Sequence, residues 1–482
     1  AVSCTATTPP VTYTIGGTIE GLTASASGLV LLDNGGDALT IAPAVAAFPF
    51  TFATGLAGGA AYAVTVKTQP TGETCVVSDG NDSVASANVT SVIVSCSQYA
   101  AALGSNVVPM TVGNGPTASA NAIFNIPYVT VTVCEPASPT TCATINNVKV
   151  DTGSVGLRLL ASALANPDSG SAVTLKSIAD PNTVGNTISE CWPFGGGSDA
   201  WGAVATANIK IGSELATNEE VQVITGDTPP AACSSPNQFS SVSDFDANGV
   251  LGVGVLREDC GAGCVTSGSG EFYYTCPPSS PSTSCSRVGL VTASQVPNPV
   301  AGFAVDNNGV ILQLPAIPDT GLSSANGYLV FGINTETDNS QPGTATVLTA
   351  HSTYGTFTTV YNSTTLTAGN GSGGIFDSGS NGLFFPDTTI TTCAGNAGFF
   401  CPSSPLNLTA QNESAPSGTP NTVNFEIGDL VTIAGGGSFA IDNAGGPQST
   451  AFFDWGLPFF YGRTVFLGIE GASGTPAPYY AY

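Results

Sequence analysis

Two stretches decide how this chain is read: Val148-Lys149-Val150-Asp151-Thr152-Gly153-Ser154-Val155-Gly156-Leu157 and Gly374-Ile375-Phe376-Asp377-Ser378-Gly379-Ser380-Asn381-Gly382-Leu383. Each is an apolar strand that runs into D-[TS]-G-S-x-G-L. A single D-T-G or D-S-G is commonplace, because Asp, Ser and Thr readily satisfy nearby backbone groups in Asx and ST turns. Two copies with matching flanks, 226 residues apart, predict an internal duplication with two homologous lobes, not a short-period solenoid. Each aspartate stands at the end of an apolar strand, where a lone buried carboxylate is costly. Two that face each other can share one proton, which splits their titration into a low and a high step. The ionised partner can then take a proton from water while the neutral one polarises a carbonyl. Glycine after the Ser or Thr permits a tight turn that brings backbone N–H groups near the carboxylates. The hydroxyls of Ser154 and Ser380 can support them as donors.

Further segments fall into place around this pair. Asn248-Gly249-Val250-Leu251-Gly252-Val253-Gly254 and Trp455-Gly456-Leu457-Pro458-Phe459-Phe460-Tyr461-Gly462-Arg463 are similar to the later strands that cross the two motifs in pepsin-like aspartic proteases. Phe194-Gly195-Gly196-Gly197-Ser198, followed by Gly202 and then Ala207-Asn208-Ile209-Lys210-Ile211-Gly212, is similar to that family's flap hairpin, and Gly327-Tyr328-Leu329-Val330-Phe331-Gly332 resembles the strand that opens its second lobe. In this order, over most of residues 105–470, the region resembles pepsin-like aspartic proteases. It is also similar to bacterial surface proteins of unassigned activity that carry such paired motifs. The resemblance implies Asp151 and Asp377 as the catalytic pair, with Thr152, Gly153, Ser154, Ser378, Gly379 and Ser380 in support. It implies a flap over the site at Phe194 and Gly195. The chain departs from the family at two places. Phe194 stands where the flap has Tyr, so no hydroxyl joins the hydrogen-bond chain there. Arg158 stands where Trp often follows the first motif. Its charge would lower the carboxylate pKa values if it faced the pair; alternatively it points outward or pairs with a buried acid.

Residues 1–98 read as a separate unit. YTIGGTIEGL, GLVLLDNGGDALTI, FPFTFATGL, AYAVTVKTQP and TSVIVSCS alternate as strands between NGG and GG turns. About seven short strands in roughly 95 residues suggest a small β-sandwich. The G-G-x-I/V-x-G-L opening and the closing Val94-Ser95-Cys96 resemble the tandem Ig-like repeats of bacterial surface proteins. The opening Ala1-Val2-Ser3-Cys4 repeats that ending, so Cys4 is either a leftover thiol near a mature N-terminus or the end of a preceding repeat. The expected organisation is a mainly β chain: an Ig-like sandwich at 1–98, a pepsin-like N-terminal lobe at 99–300 and a C-terminal lobe at 301–482.

Composition narrows the setting. Only 8 Lys and Arg face 33 Asp and Glu, a formal charge of −25. Such a surface repels nucleic acid and anionic lipid, so no nucleic-acid partner is expected. No apolar run is long enough for a transmembrane helix. The 13 cysteines include no C-x2-C pair, and His351 is the only histidine. Zinc sites favour those features, so disulfides are the better reading, and they imply an oxidising, extracellular or cell-surface location. The expected pairs are Cys75–Cys96, Cys134–Cys142, Cys191–Cys233, Cys260–Cys264, Cys276–Cys285 and Cys393–Cys401, with a crossed pairing possible in the 260–285 cluster. No metal and no cofactor is expected. Asp244-Phe245-Asp246-Ala247-Asn248-Gly249 begins like a calcium loop, but Val255 stands where the closing Glu belongs, so it reads as a turn.

Two functions from different classes fit. One is an acid endopeptidase that hydrolyses polypeptides with water activated between Asp151 and Asp377. The other is a catalytically silent structural or adhesive surface protein, a subunit of an extracellular assembly or filament, because open β-sheet edges can join neighbours by strand addition.

Overall fold

Short Val, Ile and Thr runs punctuated by Gly, Asn and Pro become strands along the whole chain, and the protein is mainly β. The computed structural model describes residues 11–22, 26–42, 48–70, 74–78, 80–97, 104–116, 123–195, 197–233, 237–266, 272–448, 451–472, 474 and 477–482. Cys4 and the repeated Ala1-Val2-Ser3-Cys4 lie outside them. The chain divides into two compact units, residues 1–103 with 314–318, and residues 104–313 with 319–482.

The first unit holds two four-stranded sheets. One is ordered Phe48–Thr51, Ile15–Glu20, Val89–Ser97, Thr74–Ser78; the other is Asp37–Thr40, Val30–Asp33, Ala61–Thr68, Asn81–Ser83. Val89–Ser97 runs parallel to Ile15–Glu20 and antiparallel to Thr74–Ser78. Ile15, Ile19, Leu29, Leu31, Phe50, Phe52, Val92 and Val94 form its buried core, as alternate strand residues must when one face is covered. The Cys75–Cys96 disulfide closes that core.

The second unit repeats one arrangement twice. In its first half, strand Ser138–Asp151 ends beside strand Gly249–Val253, which runs parallel to it with Val150 opposite Leu251. The return strand Val155–Leu160 lies antiparallel on the other side of Gly249–Val253, with Leu157 opposite Leu251. In the second half, Gly373–Phe376 runs parallel to Phe452–Trp455, with Phe376 opposite Trp455. The return strand Leu383–Phe385 again lies antiparallel, with Leu383 opposite Trp455. Thus each aspartate leaves the end of one strand and its chain returns on the far side of a central strand. Every residue of Gly249–Val253 and of Val155–Leu160 is buried, which is why both read as near-continuous apolar runs.

The halves share hydrogen bonds elsewhere. Strand Val107–Val112 pairs antiparallel with Ala325–Phe331, joining an early segment to the later half. The later half is filled by rings: Phe376 stacks on Phe459 at 4.1 Å, and Phe453 on Trp455 at 4.1 Å. Disulfides join Cys134–Cys142, Cys191–Cys233, Cys260–Cys264, Cys276–Cys285 and Cys393–Cys401. The Asp244–Gly249 segment folds as one helical turn, Val242–Phe245, followed by Asp246 in a left-handed conformation at φ 55°. Asp244 Oδ2 accepts from the Ser241 hydroxyl at 2.7 Å, an Asx-type role. No helix among the described residues is long and apolar enough to cross a membrane.

Candidate active site

The duplicated turns meet face to face. The Asp151 and Asp377 carboxyls adjoin, each lying against the glycine of the other's turn. Gly153 N–H donates to Asp151 Oδ1 at 2.8 Å, and Ser154 Oγ donates to Asp151 Oδ2 at 2.5 Å. On the other side, Gly379 N–H donates to Asp377 Oδ1 at 2.8 Å, and Ser380 Oγ contacts Asp377 Oδ2 at 2.8 Å. Each carboxylate therefore meets the same two groups from its own turn. The glycines also make room for the contact. A Cβ on Gly153 would stand 2.4 Å from Asp377 Cγ, and one on Gly379 would stand 2.5 Å from Asp151 Oδ1. No L side chain fits at either place while the carboxyls touch, since real Cβ contacts are not that short.

Below the carboxyls, the turns are tied together. Thr152 Oγ1 donates to Phe376 O at 2.7 Å and accepts from Ser378 N–H at 2.8 Å. Ser378 Oγ donates to Val150 O at 2.8 Å and accepts from Thr152 N–H at 3.1 Å. Both residues are essentially fully buried.

Crowding by protein, then the neighbouring carboxylates of Asp151 and Asp454, push Asp377 well above the usual carboxylate range. A proton is thereby retained on the pair at pH values where a free aspartate would have lost it. One neutral and one ionised carboxyl in contact can deprotonate a water and polarise a carbonyl.

Asp454 is the residue that reading the sequence missed. It sits inside the apolar Phe452–Trp455 strand and is buried. Its Oδ2 lies 2.6 Å from Ser380 Oγ, the same hydroxyl that contacts Asp377. An acid in the middle of Ala-Phe-Phe-Asp-Trp-Gly-Leu was the available signal.

Arg158 does not face the pair. It is fully buried on the return strand, with Nη2 at 2.7 Å from Glu190 Oε1 and 2.9 Å from Asp259 Oδ2. Its guanidinium lies 3.9 Å from the Trp192 ring centroid. Tyr273 OH donates to Asp259 Oδ1 at 2.7 Å. Burial, and then the Glu190 carboxylate, push Asp259 well above its usual range. Arg158 thus serves a buried ion cluster of its own lobe, the buried-acid alternative.

Phe194 ends strand Thr187–Phe194 of a hairpin with Ser198–Ile211, where it pairs with Ser198, and Gly195 begins the turn. The Phe194 ring packs edge-on against Phe239 and Phe245 at 5.4 and 5.3 Å. Among the described residues, Cys191, Asp199 and Cys233 bring three ligand-type atoms within 4.8 Å, but the two sulfurs form a disulfide and offer no thiolate.

The family model described as "Protein of unknown function (DUF3443)" matches residues 102–482. The chain belongs to that family. No curated protein matches it. Among solved structures it is similar to the aspartic proteinase from Irpex lacteus, at 17% identity over 78% of this chain and 96% of that one, with a TM-score of 0.43. The matched family region contains Asp151, Asp377 and Asp454, and it begins beyond the strands of the first unit.

Proposed function

We propose that this protein is a pepsin-like acid endopeptidase acting on polypeptides outside the cell, with Asp151 and Asp377 sharing one proton around an attacking water. The observation that carries this reading is the approach of two carboxyls, each set against the other turn's glycine and each met by the same N–H and hydroxyl pair from its own turn. The ionised member takes a proton from water as it attacks the scissile carbonyl carbon; the neutral member hydrogen-bonds the carbonyl oxygen and transfers its proton as the tetrahedral intermediate forms. The protonated carboxyl then gives its proton to the leaving nitrogen while the other carboxylate takes one from a hydroxyl of the gem-diol, so the C–N bond breaks to an acid and an amine and the pair again holds one proton. Six disulfides support an oxidising setting.

Incubation with an unfolded protein at acid pH, with and without a pepstatin-type inhibitor, tests the reading. Cleavage that the inhibitor blocks, and that Asp151→Asn and Asp377→Asn each abolish, is expected. No cleavage by pure folded protein, or cleavage that survives either substitution, overturns it in favour of the silent surface role. Phe194 is the feature that favours that second role, because its ring has no hydroxyl to offer a site and is packed against Phe239 and Phe245.

A further inference from the structure

The two halves share one strand register, and that register exposes an unmatched residue. Lys149 and Arg158 flank Val250 on the first central strand. Ile375 and Phe384 flank Asp454 on the second. Asp454 therefore occupies the place that an apolar valine fills in the first half. It is buried, its Oδ1 has no hydrogen-bond partner among the described residues, and its Oδ2 reaches Ser380.

The Ser380 hydroxyl carries one hydrogen. It lies 2.8 Å from Asp377 Oδ2 and 2.6 Å from Asp454 Oδ2, and it can donate to only one of them. The other contact requires a carboxyl that itself donates to Ser380 Oγ. The first half has no such conflict, because Ser154 Oγ makes its single donation to Asp151. With the pair's own proton held between Asp151 and Asp377, the hydrogen-bond count calls for a second carboxyl proton in this cluster. The groups acting on it are Asp151, Asp377 and Asp454 themselves, with the Tyr480 phenol close to Asp377. Among the described residues, the ion pairs present involve Arg158 and not this cluster.

We propose that Asp454 is a positioning and proton-holding residue of the site: through Ser380 it keeps the Asp151–Asp377 pair singly protonated as the pH rises toward neutral. This rests on the peptidase reading for its catalytic consequence, though not for the proton itself. Loss of the first proton from a cluster of three carboxyls leaves one proton that the pair can still hold. Loss of the same proton from a cluster of two leaves the pair doubly ionised and inactive. Burial, opposed by the Ser380 hydrogen bond and augmented by the Asp151 carboxylate, raises Asp454 to about 7, in keeping with that arrangement.

The test uses the full chain, wild type and Asp454→Asn, whose amide donates to Ser380 as the protonated acid would. Carbon-13 NMR of the aspartate side-chain carboxyls, followed against pH in the folded protein, reads the proton without reference to catalysis. A carboxyl resonance that titrates near neutral pH in wild type and is lost in Asp454→Asn is expected. Wild type in which no buried aspartate titrates above about pH 5.5, within one unit or so of an ordinary carboxyl, overturns the proposal even if the variant does not fold. The pH–rate profile supplies the second readout. A like charge at close range moves a carboxyl by about one unit or more, so the ratio of cleavage at about pH 6.5 to that at about pH 4 falls about tenfold in Asp454→Asn. A uniform drop at every pH marks a merely structural residue and overturns the proposal. Absence of cleavage in wild type alongside the NMR shift retires the peptidase reading and leaves the second proton standing.

Discussion

Thr152 and Ser378, 226 residues apart, each give a hydroxyl proton to a main-chain carbonyl of the other half and accept the other's backbone N–H. Four hydrogen bonds, all buried, thus lock the two duplicated turns beneath the carboxyls. Buried donors and acceptors left without partners are expensive, so removing one hydroxyl exposes two faults at once. Thr152→Val keeps the shape and leaves Phe376 O and Ser378 N–H unpaired. A loss of about 2–4 kcal/mol in denaturant unfolding is expected, at about 1–3 kcal/mol per orphaned group with partial relaxation. A change below about 0.5 kcal/mol, the range of ordinary surface substitutions, would show that the lock is not a stabilising element.

Asp377 provides a stability test whose sign follows from linkage. Its pKa in the folded state is raised, so the native state binds more protons than the unfolded chain once the pH exceeds the unfolded aspartate value. Stability from this group is therefore present below that value and is lost as the pH climbs through the folded one. Asp377→Asn removes the titration. The variant should melt at a higher temperature than wild type at neutral pH, and the gap should close in acid. Calorimetry at several pH values decides it, and a variant no more stable than wild type at neutral pH contradicts the reading.

The Arg158 cluster makes a different forecast. Arg158→Met strands Glu190 and Asp259 without their cation, and breaking a buried pair in this way costs about 3–5 kcal/mol. The triple variant Arg158→Met, Glu190→Gln, Asp259→Asn should recover most of that loss, because the uncompensated charges go with it. Urea unfolding of wild type and the two variants, with equal slopes, measures the recovery.

Disulfides should rank by the loop they close. Cys191 and Cys233 are 42 residues apart, Cys260 and Cys264 only 4. The chain-entropy relation gives about 4 kcal/mol for the first and about 2 kcal/mol for the second. Paired Cys→Ala replacements compared by unfolding should keep that order, and a reversed order would show that native packing around the bridges outweighs loop closure.

What could be read from the residues alone was local or repeated. The two D-[TS]-G-S-x-G-L stretches stand out because a short turn that cradles a carboxylate needs the same small set of residues wherever it occurs. Cysteines such as Cys134 and Cys142 or Cys393 and Cys401 are near neighbours in sequence, so short separations suggested their partners. The apolar strands that run into Asp151 and Asp377 signalled that both carboxylates would be buried. Other features depend on register between strands far apart in the chain. Arg158 was ambiguous because its partners, Glu190 and Asp259, are 32 and 101 residues away, and no local pattern ties an arginine to acids at such distances. Asp454 passed unnoticed because its meaning comes from lying opposite Ile375 and Phe384, within reach of a serine 74 residues earlier. Sequence determines which turns can hold a carboxylate, since that is a matter of a few bonds. Only the folded sheets decide which carboxylates meet, because their approach is set by strand pairing and by the missing Cβ atoms of Gly153 and Gly379.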